Sequence, residues 1–312
     1  ATKGKGIDIV VLGDGFVDKE IGTGKIYDLT MAKFKDSFLE LEPFKTYKDY
    51  FNVYMIRAIS KEHGVSDEGN KVLNKFGTLT SQNDYPKYNI EKVQRFVDSL
   101  GLDNSHISLI ANSYSIAANA AILPDHITGK VKTATIMGVN TGTYGINHEA
   151  GGHGFGLLAD EYMRVGDDYI AISADRINSV KTAQDKFGIY TNVDFTSDLT
   201  KIRWAHMVDH PNYKGLVGAF EGGLYFYKGV WRAEFQSIMG YHVGLNYFNA
   251  PSREAIVKQI KKQAGETYSF DDFVANDKIE NSFGTKSAII SNINYKHYPP
   301  RVIIDGKEIM KY

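Results

Sequence analysis

The chain has 312 residues, 43% of them apolar and 12% aromatic, with no cysteine. Lys and Arg number 36 and Asp and Glu 37, so 36 − 37 leaves a net charge of −1. That balance gives no reason to expect a nucleic-acid partner, the apolar content excludes a disordered chain, and the missing thiols exclude disulfides, thiolate zinc knuckles and a cysteine nucleophile. No apolar run approaches the roughly 20 residues that span a bilayer.

The first expected element is a buried strand over residues 7–12, an aliphatic run that ends in Gly13-Asp14-Gly15 and therefore in a tight turn. Residues 29–41 place Leu29, Ala32, Phe34, Phe38, Leu39 and Leu41 near one helical stripe, which Glu42-Pro43 breaks. Alternation over 51–59 predicts a strand, and the polar, glycine-rich stretch 61–86 predicts a long surface excursion. Asn89 caps a predicted helix that Gly101 stops, and strands are expected at 106–111 and 132–137. Beyond residue 160 the pattern loosens: the reading predicts one helix over 253–263, capped by Ser252, and a terminal hairpin on Asp305-Gly306. The fold class expected is α/β with a mixed, mainly parallel sheet, a central helix around residues 148–153 and a loop-rich C-terminal lobe. It is read as a single domain over 1–312, with an N-terminal lobe over 1–158 and a C-terminal lobe over 159–312.

Two histidines and two acids crowd into His148-Glu149-Ala150-Gly151-Gly152-His153-Gly154-Phe155-Gly156-Leu157-Leu158-Ala159-Asp160-Glu161-Tyr162. Imidazole and carboxylate are the ligands of catalytic zinc, which takes three protein donors and keeps a fourth position open. A glutamate directly after the first histidine is how a metallopeptidase places its general base, so Glu149 is the candidate catalytic residue. Histidines four apart share a helix face, whereas five apart they diverge by about 140° on a regular α-helix. His148 and His153 therefore require one extra residue in the helix, and Gly151-Gly152 is where a π-bulge is expected. The hexapeptide resembles the His-Glu-x-x-Gly-His motif of dipeptidyl peptidase III. Asp160 and Glu161 both remain available as a third ligand, since either carboxylate binds zinc.

Beyond this segment the chain resembles the IgA-peptidase family of bacterial zinc metallopeptidases, of the metzincin type. The resemblance rests on Leu12-Gly13-Asp14-Gly15-Phe16, Asp160-Glu161-Tyr162, Lys201-Ile202-Arg203-Trp204, Phe220-Glu221-Gly222-Gly223, Gly229-Val230-Trp231-Arg232 and Ser237-Ile238-Met239-Gly240, in that order. The family's usual histidine spacing is four, so the extra glycine here is a departure. The resemblance implies that His148, His153 and Asp160 hold zinc, that Glu149 is the base and that Met239 is the methionine of the turn beneath the metal. Tyr241 stands at the offset where astacin-like metzincins keep a tyrosine that can donate to the developing oxyanion. Glu221 and Arg232 are read as structural residues more than as ligands of substrate termini. The expected partner is a polypeptide substrate and the expected state a monomer. The chain begins at Ala1 without a leader, which suggests an exported protein whose signal or upstream domain has been removed.

The competing reading is a non-catalytic binding or adhesion module with a degenerate metal site, supported by the five-residue spacing. An esterase or nucleotide-binding protein is disfavoured: no Gly-x-Ser-x-Gly occurs, and the glycines at 13 and 15 do not fit the dinucleotide fingerprint.

Overall fold

The computed structural model of the chain describes residues 1–81, 85–102, 104–164, 166–240, 245–278, 298–304 and 306–308. The strands are β1 (Ile7–Asp14), β2 (Phe51–Ile56), β3 (His106–Ala111), β4 (Asn119–Pro124), β5 (Val131–Gly138), β6 (Val193–Asp194), β7 (Phe220–Gly223), β8 (Phe226–Arg232), β9 (Arg301–Ile304) and β10 (Lys307–Glu308). The helices are α1 (Ile26–Glu40), α2 (Ile90–Asp98), α3 (Thr143–Ile146), α4 (Ala174–Phe187), α5 (Ala205–Val208), α6 (Ala250–Ala264) and α7 (Phe270–Asn276). α3 runs directly into a π-helical segment, Asn147–Phe155.

The seven-stranded sheet has the order β10-β9-β4-β5-β3-β1-β2. β2, β1, β3 and β5 are parallel neighbours, β4 lies antiparallel to β5, and β9 runs parallel to β4. β1 reads as continuous aliphatic sequence because both of its faces are covered. Ile7, Ile9 and Val11 join a core with Tyr27, Met31, Phe34 and Phe38 of α1, whereas Val10 and Leu12 join Val93 and Val97 of α2 on the other face. α6 and the π segment lie in the first of these layers, so the metal-motif segment is packed against the sheet. A small antiparallel sheet, β6-β8-β7, and α4 form a second core with Leu157, Ala159 and Ile122.

Three expectations are corrected. α1 begins three residues earlier than expected, its buried stripe is Tyr27, Met31, Phe34 and Phe38, and Leu29 faces solvent because at about 100° per residue it lies on the far side of the helix from Met31 and Phe34. α6 is capped by Asn249, whose side chain accepts from the Ser252 amide at 3.0 Å; Ser252 is inside the helix. The C-terminal half also holds a second long helix, α4, capped by Ser173 and closed by Gly188 at φ +70°.

The excursion after β2 is tied to the sheet by Asp14. This fully buried carboxylate accepts from the amides of Lys75 (2.7 Å), Phe76 (3.1 Å) and Thr78 (3.2 Å) and from the hydroxyls of Ser60 (3.0 Å) and Thr78 (2.7 Å). Gly15 is required beside it: φ is +78°, and a Cβ there would lie 2.3 Å from the Gly64 carbonyl oxygen. The terminal hairpin β9–β10 forms as expected and extends the large sheet at β4. No helix among the described residues is long and apolar enough to cross a membrane.

Candidate metal centre

All nine residues of Asn147–Phe155 are buried. The segment closes with an i to i−5 bond, Gly156 N–H to the Gly151 carbonyl at 2.8 Å. Each turn of such a helix takes up one more residue than an α-helical turn, so the fifth residue rather than the fourth returns to the same side. His148 and His153 therefore face each other, with Nε2 atoms 3.1 Å apart. The glycines allow neighbours to press onto the segment from several sides. A Cβ on Gly152 would lie 2.3 Å from Met239 Sδ, one on Gly151 3.0 Å from Phe44, and one on Gly154 3.0 Å from Thr135.

Asp160 completes the cluster. Its Oδ1 lies 3.1 Å from His148 Nε2 and 3.3 Å from His153 Nε2, and all three side chains are almost wholly buried. Both Nδ1 atoms face backbone carbonyls: His148 donates to Ile238 at 2.8 Å and His153 to Leu158 at 2.7 Å. A carbonyl can only accept, so each Nδ1 carries a proton, and in its neutral form each ring turns an Nε2 lone pair toward Asp160 Oδ1. Three acceptors at such distances in a buried place repel one another unless a cation lies among them. Tetrahedral coordination at about 2.0–2.1 Å sets donor atoms about 3.3–3.4 Å apart, close to the triangle observed. The donor set and its spacing thus fit a divalent transition metal.

The neighbouring acid has a different task. Glu161 accepts from Ser237 Oγ (2.5 Å), Asn192 Nδ2 (2.8 Å) and Asn249 Nδ2 (2.8 Å), and burial raises its carboxyl above the usual range. Its side chain joins three separate segments and is not part of the metal cluster. Glu149 is fully buried in the π segment. Its charge acts on the phenols of Tyr144 and Tyr162, both of which are pushed upward by burial first, then by Asp160, with Glu149 adding in the same direction.

Met239 is fully buried against Gly152, and its carbonyl accepts from the Glu161 amide at 2.8 Å. Tyr241 and His242 lie outside the described residues. Arg232 forms no carboxylate pair with Glu221; its guanidinium donates to the Glu221 and Gly222 carbonyls at 2.9 and 2.8 Å, a structural role. His206 instead pairs with Glu254 at 3.0 Å.

Two tyrosines unseen in the sequence reading complete the surroundings. Tyr144 stacks on His148 with centroids 5.8 Å apart, and its hydroxyl faces the Ile238 and Gly240 carbonyls. Tyr225 donates to Asp160 Oδ2 and accepts from Tyr162 at 3.0 Å. Tyr162 stood within a motif already singled out, whereas nothing local to Tyr225 marks it as a neighbour of Asp160.

No curated protein matches the chain. A family model described as IgA Peptidase M64 matches residues 1–209, a span that contains β1, the π segment, both histidines and Asp160. With two thirds of its length matched, this chain belongs to the IgA peptidase M64 family of metallopeptidases.

Proposed function

We propose that the protein is a zinc-dependent peptidase of metzincin type in which His148, His153 and Asp160 hold the ion and Glu149 is the general base. The observation that carries this reading is the convergence of two Nε2 atoms and one carboxylate oxygen within 3.3 Å of one another. Zinc in that place would act as a Lewis acid and make a water nucleophilic near neutral pH. Glu149 takes a proton from the attacking water and delivers it to the leaving amine nitrogen. Met239 forms the apolar floor beneath the helix, its flexible thioether filling the space that Gly152 leaves. Tyr241, two residues later, is proposed to donate a hydrogen bond to the oxyanion. The substrate class is a polypeptide, and the protein is read as exported.

The reading as a non-catalytic module drew its support from the five-residue histidine spacing. The π-helical turn accommodates that spacing and brings both rings to one point, which removes the reason for preferring it.

The test is Glu149→Gln, measured on a protein substrate that the wild type cleaves, with casein and immunoglobulin A offered first. Gln keeps the size and polarity of the side chain without its basicity, so hydrolysis should fall by about 10² to 10⁴ while zinc content stays the same. Unchanged activity would assign the base elsewhere, and loss of zinc would make Glu149 a ligand.

A further inference from the structure

We propose that Tyr225 is a positioning residue of the metal site: it holds Asp160 by Oδ2 and so presents Oδ1 alone to His148 and His153. This rests on the metallopeptidase reading above.

The way the phenol is delivered supports the assignment. Gly223 pairs with Phe226 across β7 and β8, so Leu224 and Tyr225 are the two residues of the hairpin turn. Their φ values are +48° and +73°, and a two-residue turn with both angles positive is of the type in which Asn-Gly or Gly-Gly ordinarily stands. Leucine and tyrosine in the left-handed region are strained, and such strain persists only where surrounding contacts fix it. Hairpin turns usually face solvent, but this one points inward, with Leu224 in the second core and Tyr225 fully buried.

The turn is also bonded in register to the segment that carries the ligand. Leu224 N–H donates to the Asp160 carbonyl, Tyr225 N–H to the Tyr162 carbonyl and Arg164 N–H to the Tyr225 carbonyl, each at 2.9 Å. The Tyr162 hydroxyl donates to the Tyr225 oxygen, which leaves the proton of Tyr225 directed at the carboxylate. A carboxylate gripped at one oxygen has the other to offer, whereas one without that grip can turn and offer both.

The test compares wild type, Tyr225→Phe and Tyr162→Phe by competition for zinc with a chromophoric chelator and by the visible spectrum of the cobalt-substituted protein. Tyr225→Phe should bind zinc about 10- to 100-fold more weakly, the range found when a partner that orients a metal ligand is removed. At saturating cobalt its visible absorbance per bound ion should fall as Asp160 becomes bidentate and the coordination number rises, a change that weaker binding or a general loss of stability would not produce. Tyr162→Phe should shift both readouts in the same direction by less, and it carries the test alone if Tyr225→Phe does not fold. Variants with wild-type zinc affinity and an unchanged cobalt spectrum would overturn this assignment alone. A wild-type protein that binds no zinc would overturn the metallopeptidase reading and this assignment with it.

Discussion

Gly152 shows how closely the π segment and the Met239 segment are fitted. An alanine methyl there would stand 2.3 Å from Met239 Sδ and 2.9 Å from its Cε, and Met239 is fully buried. Gly152→Ala should therefore destabilise the fold by about 1–3 kcal/mol through overpacking. Combining it with Met239→Ala should cost clearly less than the sum of the two single changes, because each relieves the other's misfit. Urea unfolding of the four proteins measures this, and strict additivity would contradict the contact. The same scale shows what was legible in the sequence. His148, Glu149 and His153 fall within six residues, so their chemistry and even the need for an irregular helix could be read directly. Asp160 and Glu161 could not be told apart by composition or spacing. Adjacent side chains of an extended segment point to opposite sides, and only Asn192, Ser237 and Asn249, distant in sequence, draw Glu161 away. Tyr225 escaped for the same reason, since its approach depends on a turn conformation that its residue types do not advertise.

Elements built on strong apolar runs were readable, and those stabilised by tertiary contacts were not. β1 and β3 are mainly aliphatic strands covered on both faces, β5 mixes Ile136 and Met137 with Thr133 and Thr135, and each forms close to where the pattern placed it. α4 was missed because much of Ala174–Phe187 is polar and its buried positions are only Val180, Ala183, Gln184 and Phe187. α6 was seen but its start was not, since Asn249 and Glu234 jointly satisfy its first amides, Glu234 Oε1 accepting from Ala250 at 2.7 Å. Burial pushes the Glu234 carboxyl up to about 7 from an ordinary 4.5. Between these values the folded chain holds a proton that the unfolded chain has lost, so this group makes stability fall as pH rises. Glu234→Gln retains an acceptor for the helix end and removes the titration. The stability of the variant relative to wild type should therefore increase from pH 5 to pH 8, on the order of 2 kcal/mol in all. Urea unfolding across that range checks this, and a pH-independent difference would contradict it.

At the scale of the molecule the α/β class was legible, but the order of the sheet was not. β4 is a short run of small residues reversed against β5, and its outer neighbour β9 arrives from the far end of the chain, where Asn119 Nδ2 donates to the Pro299 carbonyl across 180 positions. The metal centre is assembled on the same long-range principle. The three proposed ligands lie within residues 148–160, yet Ile238 orients His148, Met239 packs under Gly152, Tyr225 grips Asp160, and Ser237 with Asn249 holds Glu161 aside. All five lie beyond the residues matched by the family model. If this arrangement holds one metal ion, the metal content of the purified protein reports it. Elemental analysis of protein purified without added metal, together with His148→Ala, should find close to one zinc per wild-type chain and little or none in the variant. A wild-type stoichiometry near zero that added zinc does not restore, or normal zinc binding by His148→Ala, would mean that this cluster is not a zinc site.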